Sequence, residues 1–80
     1  MIRYKLKELI AHKSFVEDRR VTIDEVAEET GISRNTLSRI ANTRGYSTTT
    51  DAVDKLCDYF NCEINDLMER VVLDNEQKTT

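Results

Sequence analysis

An all-α fold of five short helices is what this sequence predicts, on three observations. The 80-residue chain has no proline and only two glycines, so little interrupts a helix and little builds the turns of a β-fold. Apolar residues recur at three- and four-residue intervals along most of the chain. Between those stretches lie residues that start or stop helices: Thr22, Gly31, Ser33, Gly45, Thr48 or Thr49, and Asn61. With 39% hydrophobic and 34% charged residues, the composition supports one modest core that buries ~60% of the unfolded surface. Residues 1–72 are expected to form that single domain, and 73–80 a flexible C-terminal tail.

Ile2, Leu6, Leu9 and Ile10 repeat at helical spacing and predict a first amphipathic helix over residues 2–13. SFVEDRRV at 14–21 breaks the pattern and reads as a connector, from which Phe15, Val16 or Val21 plugs the core. Thr22 followed three residues later by Glu25 is a capping box, and Asp24 and Glu25 suit the positive end of the helix dipole. The second helix so begun turns Val26 and Ala27 inward and stops at Gly31, which can adopt a left-handed backbone without a Cβ penalty. Ser33 then caps a third helix that runs to about Asn42. Two helices joined by so short a glycine-containing turn have the spacing of a helix-turn-helix.

Residues 43–48 form a loop around Gly45, and Thr48 or Thr49 opens a fourth helix in which Val53, Leu56, Cys57 and Phe60 repeat. Asn61 ends it as a left-handed residue. Ile64, Leu67, Met68 and Val71 predict a short fifth helix, and the apolar period is lost from Leu73 onward.

Several function classes are excluded at this level. MIRYKLKEL alternates charged and apolar residues and lacks the apolar core of a secretory signal, and no run approaches the ~20 apolar residues of a membrane span. Cys57 and Cys62 read as reduced, buried thiols of a cytoplasmic protein. One isolated histidine, His12, and two thiols do not make a metal site. With no phosphate-cradling glycine loop and little room for a pocket, no enzymatic activity, cofactor or small-molecule ligand is expected.

Charge is unevenly distributed within the formal total of −3. Residues 1–20 carry six basic and three acidic groups, 21–30 four acids and no base, 31–50 three arginines and no acid, and 51–80 three bases against eight acids. Residues 31–50 could therefore meet a polyanion such as double-stranded DNA while the acidic segments stay away from it, since a carboxylate there would face the phosphates at close range.

At ~100° per residue, Arg34, Asn35, Ser38, Arg39 and Asn42 share one arc of the third helix of about 140°, while Leu37, Ile40 and Ala41 fall opposite. Arginine can donate two parallel hydrogen bonds to guanine O6 and N7, asparagine can pair bidentately with adenine, and serine serves either way. Arg34, Asn35, Ser38 and Arg39 are thus the candidate base-reading residues. Anchors on phosphate must fix the depth and register of such a helix. Candidates are Thr22, Ser33 and Thr36 near helix N-termini, Asn42 at the helix end, and Arg44, Tyr46, Thr48 and Thr49 after it.

The segment TIDEVAEETGISRNTLSRIAN, with TDAVDKLCDYFNCEINDLME after the loop, resembles the lambda-repressor-like helix-turn-helix domain, the Cro/cI or XRE family. The resemblance spans residues 2–70 and rests on Ala27, Gly31, and apolar Val26, Ile32, Leu37 and Ile40 at packing positions. It implies a five-helix domain of bacterial or phage origin that binds operator DNA, commonly as a symmetric dimer, and regulates transcription as a repressor. It implies base reading by Arg34, Asn35 and Arg39 and phosphate contact by the loop at Arg44 and Tyr46. Three departures stand out: Ile23 where many members carry glutamine, Thr30 in place of a large apolar residue, and a longer connector at 14–21. Homodimerisation is expected through Leu67, Met68, Val71, Val72 and Leu73. The alternative is a protein–protein interaction module, or an antitoxin-like partner, that keeps the fold.

Overall fold

The computed structural model describes residues 1–72. The tail expected at 73–80, and Leu73 of the expected dimer contact, lie outside the described residues. The element order is β1 (Ile2–Tyr4), α1 (Leu6–Glu17), α2 (Ile23–Thr30), α3 (Arg34–Asn42), α4 (Thr50–Phe60), α5 (Ile64–Leu67) and β2 (Met68–Arg70). Among the described residues five helices therefore carry the fold, with one two-stranded antiparallel sheet that joins residues 2–4 to 68–70.

Three helix starts follow directly from side chains that occupy otherwise unpaired N–H groups. Thr22 Oγ1 accepts from Glu25 N at 3.2 Å, Ser33 Oγ from Thr36 N at 3.1 Å, and Thr49 Oγ1 from Ala52 N at 3.1 Å. The stops are equally local: Gly31 (φ 77°) and Asn61 (φ 54°) take the left-handed conformation. Gly31 N–H then bonds to Ala27 O at 2.9 Å, closing α2 where the turn toward α3 begins.

Helix α1 is the main correction. Residues 2–4 are extended, and the helix begins at Leu6 and continues through Glu17. Ile2 pairs with Arg70, Arg3 with Glu69 and Tyr4 with Met68, and Lys5 N–H bonds to Leu67 O at 2.6 Å. The expected fifth helix correspondingly stops at Leu67, where the backbone turns extended at Met68 (φ −139°, ψ 151°). At the other end of α1, Phe15 and Val16 are 85% and 65% exposed, so two outward apolar residues disguised the continuing helix. Of the three candidate core plugs only Val21 is buried. Ser14 secures it, donating to Ile10 O at 2.9 Å and accepting from Val21 N at 3.0 Å.

One core collects Leu6, Val21, Val26, Ile32, Leu37, Ile40, Ala52, Val53, Leu56 and Leu67, so every helix contributes. Leu67 is completely buried there and cannot also form a dimer contact, which removes it from the expected interface. Met68 and Val71 are half-buried and Val72 is exposed. Thr30 fits where a large apolar residue was expected because its hydroxyl donates to Val26 O at 2.7 Å and accepts from Ile32 N at 3.2 Å. Cys57 and Cys62 are free, half-buried thiols. Burial, with Cys57 alongside, pushes Cys62 up to about 11, so it stays protonated at neutral pH.

An ion-pair network ties α1, its connector and α2. Arg19 reaches both carboxylate oxygens of Glu25 at 2.7 Å and Glu17 at 2.8 Å, and Lys13 reaches Glu17 at 2.6 Å. Hydrogen bonding to Arg19 holds Glu25 below its usual 4.5, and hydrogen bonding to Lys13 and then Arg19 does the same for Glu17. Depressed carboxyl values mean stability that is present above the unfolded value and lost as pH falls through the folded one. Arg19→Ala is therefore expected to lower the urea midpoint at pH 7, with the gap to the parent closing as pH falls below about 4. Urea titrations at pH 7, 5 and 3 check this, and a gap independent of pH contradicts it.

Candidate nucleic-acid interface

The candidate surface is built on α3, whose two sides differ sharply. Leu37 and Ile40 are 0% and 2% exposed, anchored in the core, and Ala41 is half-buried against it. Arg34, Asn35, Ser38, Arg39 and Asn42 are all exposed. The helix is therefore held by one stripe and offers the other to a partner, as the rotation along α3 predicts.

Around this ridge the fold gathers other groups into three shallow grooves. Thr22, Arg34, Ser38 and Asn42 line one with Lys7 and Arg20. Asn42 and Arg44 line a second with Arg3 and Lys7. Thr36, Tyr46, Thr48 and Thr49 line a third with Lys55. Asn35 and Arg39 line none of these and project from the ridge between them.

The candidate anchors are not equally free to act. Thr22 and Thr49 each accept a capping N–H, which leaves their hydroxyl protons to donate outward. Ser33 does more, accepting from Thr36 N and donating to Thr36 Oγ1 at 2.9 Å. That uses the Ser33 proton, whereas Thr36 keeps its own to donate. Asn42 folds back too, its Nδ2 donating to Ser38 O at 3.0 Å. Tyr46 and Thr48 are half-buried, Tyr46 against the core, whereas Arg44 is exposed beside Gly45. Gly45 has φ 68°, a backbone conformation that residues with a Cβ rarely adopt, so the loop that presents Arg44 depends on glycine there.

Residues 31–50 lack carboxylates in sequence, yet three carboxylates flank them in space, among them Glu8, which shares the groove of Arg44 and pairs with Arg3. Asp24 Oδ1 lies 3.2 Å from Arg34 Nε, and Asp51 Oδ2 lies 3.1 Å from Lys55 Nζ. Among the described residues, Arg39, Arg44, Lys7 and Arg20 have no carboxylate within 4.0 Å. Lys7 and Arg20 are members of the surface that sequence reasoning missed. The excess of base over acid in residues 1–20 was their signal, but only the packing of α1 beside α3 brings them to the grooves. Ile23, by contrast, turns half-buried onto the core, and no backbone-touching glutamine side chain stands there. Among the described residues no helix is long and apolar enough to cross a membrane.

Comparison with known proteins agrees with this geometry. The model of one family, described as the Cro/C1-type HTH DNA-binding domain, matches residues 5–72. No curated protein and no solved structure gives a match. The matched stretch runs from the residue before α1 to the last described residue, and so takes in all five helices, the Gly31 turn and the exposed ridge of α3. The chain belongs to the Cro/C1-type HTH DNA-binding domain family.

Proposed function

We propose that this protein is a sequence-specific regulator of transcription of the repressor type, which lays α3 in the major groove of duplex DNA and acts by occupying its operator. One observation carries the reading: Leu37 and Ile40 are sunk in the core while Arg34, Asn35, Ser38 and Arg39 all face out. The wide groove admits a helix, and these side chains match its donor and acceptor pattern. Arg44, Lys7 and Arg20 surround the ridge as phosphate contacts, with the hydroxyls of Thr22 and Thr49 as weaker ones. A single short helix reads few base pairs, so a symmetric pair of domains on half-sites about one helical turn apart completes the proposal. Met68, Val71 and Val72 are the described residues that remain of the expected contact between the two copies.

The test is the salt dependence of duplex binding, on a site recovered by selection from random sequences. Each neutralised phosphate contributes ~0.9 to the slope of log affinity against log salt. Three cations per domain therefore predict a slope of roughly −3 per domain, and Arg44→Ala should reduce it by about 1. A flat response would point to the protein-docking alternative.

A further inference from the structure

Among the described residues, Asp24 is the one acidic side chain that forms an ion pair with a candidate reading residue. It stands in the first turn of α2, and Arg34 is the first residue of α3. Both helices are fixed at these ends, by the Thr22 and Ser33 caps and by the Gly31 turn between them. The helix-turn-helix thus brings the two side chains within reach of each other, and Asp24 Oδ1 lies 3.2 Å from Arg34 Nε. With both side chains about 70% exposed, the pair adds little to stability. Its consequence is orientation.

A guanidinium carries five N–H donors in a rigid plane. A carboxylate drawn by charge to the Nε end of the group leaves the two terminal nitrogens, Nη1 and Nη2, free at the other end, where their outer N–H bonds run parallel. Those two donors fit guanine O6 and N7 end-on. The carboxylate also accepts only, so it opposes phosphate close to this end of α3. Asp24 should therefore cost general affinity for DNA while it increases discrimination.

We infer that Asp24 is a positioning residue for base readout, holding the Arg34 guanidinium end-on and thereby setting the guanine preference at the base pair Arg34 reads. This deepens the proposed reading of DNA by α3 and rests on it.

The experiment uses the full chain and the selected duplex, with each base substituted in turn at the position where Arg34→Ala flattens preference. Asp24→Ala should lower the guanine preference there about fivefold and tighten binding to random duplex about twofold. Asp24→Glu, which keeps the charge, should restore part of the preference. In the Arg34→Ala background, Asp24→Ala should flatten nothing further. The inference is overturned if Asp24→Ala leaves the preference intact, or if it weakens selected and random duplexes alike. Where circular dichroism shows Asp24→Ala to have lost helix, Asp24→Asn carries the same expectations and the same overturning results. A parent protein that binds no duplex sinks the reading by α3 itself, whereas a loss of preference in Arg34→Ala but not in Asp24→Ala sinks this inference alone.

Discussion

Leu37→Ala is expected to cost about 2–5 kcal/mol of folding stability, because it removes a completely buried side chain from the centre of the core. A domain of this size has a total stability of only about 4–12 kcal/mol, so the variant stands close to unfolding. In a domain of 60–100 residues each kcal/mol moves the melting temperature by about 4–8 °C, which predicts a fall of at least ~8 °C. Thermal and urea unfolding followed by circular dichroism measure it. Phe15→Ala provides the contrast: that ring is 85% exposed, and its removal should change stability by no more than ~0.5 kcal/mol. The pair of results bears on function as well as folding. Leu37 sits opposite the reading face, so a loss below ~1 kcal/mol would mean that α3 is rotated about its axis. The ridge of Arg34, Asn35, Ser38 and Arg39 would then point elsewhere.

Arg39→Ala is expected to have the largest effect on specificity. Arg39 is exposed, projects from the ridge and, among the described residues, has no carboxylate within 4.0 Å. A good bidentate arginine–guanine pair contributes ~1–3 kcal/mol of discrimination, so the variant should lose about five- to a hundredfold of its preference at one base pair and keep the others. Arg44→Ala should act differently, weakening every duplex by a similar factor, because phosphate contacts carry no sequence information. Competition with duplexes substituted one base pair at a time separates the two patterns. Identical patterns from the two variants would remove the division into reading and anchoring residues.

The parts of this fold that were legible in the sequence are those governed by neighbours a few residues away. Thr22, Ser33 and Thr49 each cap the N–H three residues on, and Gly31 and Asn61 each end the helix just before them. The two sides of α3 were legible for the same reason, since 3.6 residues per turn fixes which side chains share a face. The sheet was not, because Ile2 pairs with Arg70 at the opposite end of the chain and nothing local marks either residue. Leu67 was misplaced on an interface because its burial arises from packing against α1, with Lys5 N–H bonded to its carbonyl. The length of α1 was hidden by Phe15 and Val16, which interrupt the apolar period by facing water.

The candidate site divides along the same line. Arg34, Asn35, Ser38 and Arg39 were visible as one arc of one helix, and all four are exposed. Lys7 and Arg20 were not visible, because they belong to a different helix and its connector and join the surface only through tertiary packing. The absence of carboxylates from residues 31–50 was a true statement about sequence and an incomplete one about space. Asp24 reaches Arg34 across the turn, and Asp51 lies just beyond the loop.

The central claim is that the outward tips of α3 touch base edges in the major groove. Replacing guanine by 7-deazaguanine, at the position where Arg39→Ala flattens preference, deletes one groove acceptor and leaves the Watson–Crick pair and the phosphates intact. The account predicts a loss of about tenfold in affinity for the parent protein and no further loss for Arg39→Ala. Equal affinity of the parent for the two duplexes would contradict it.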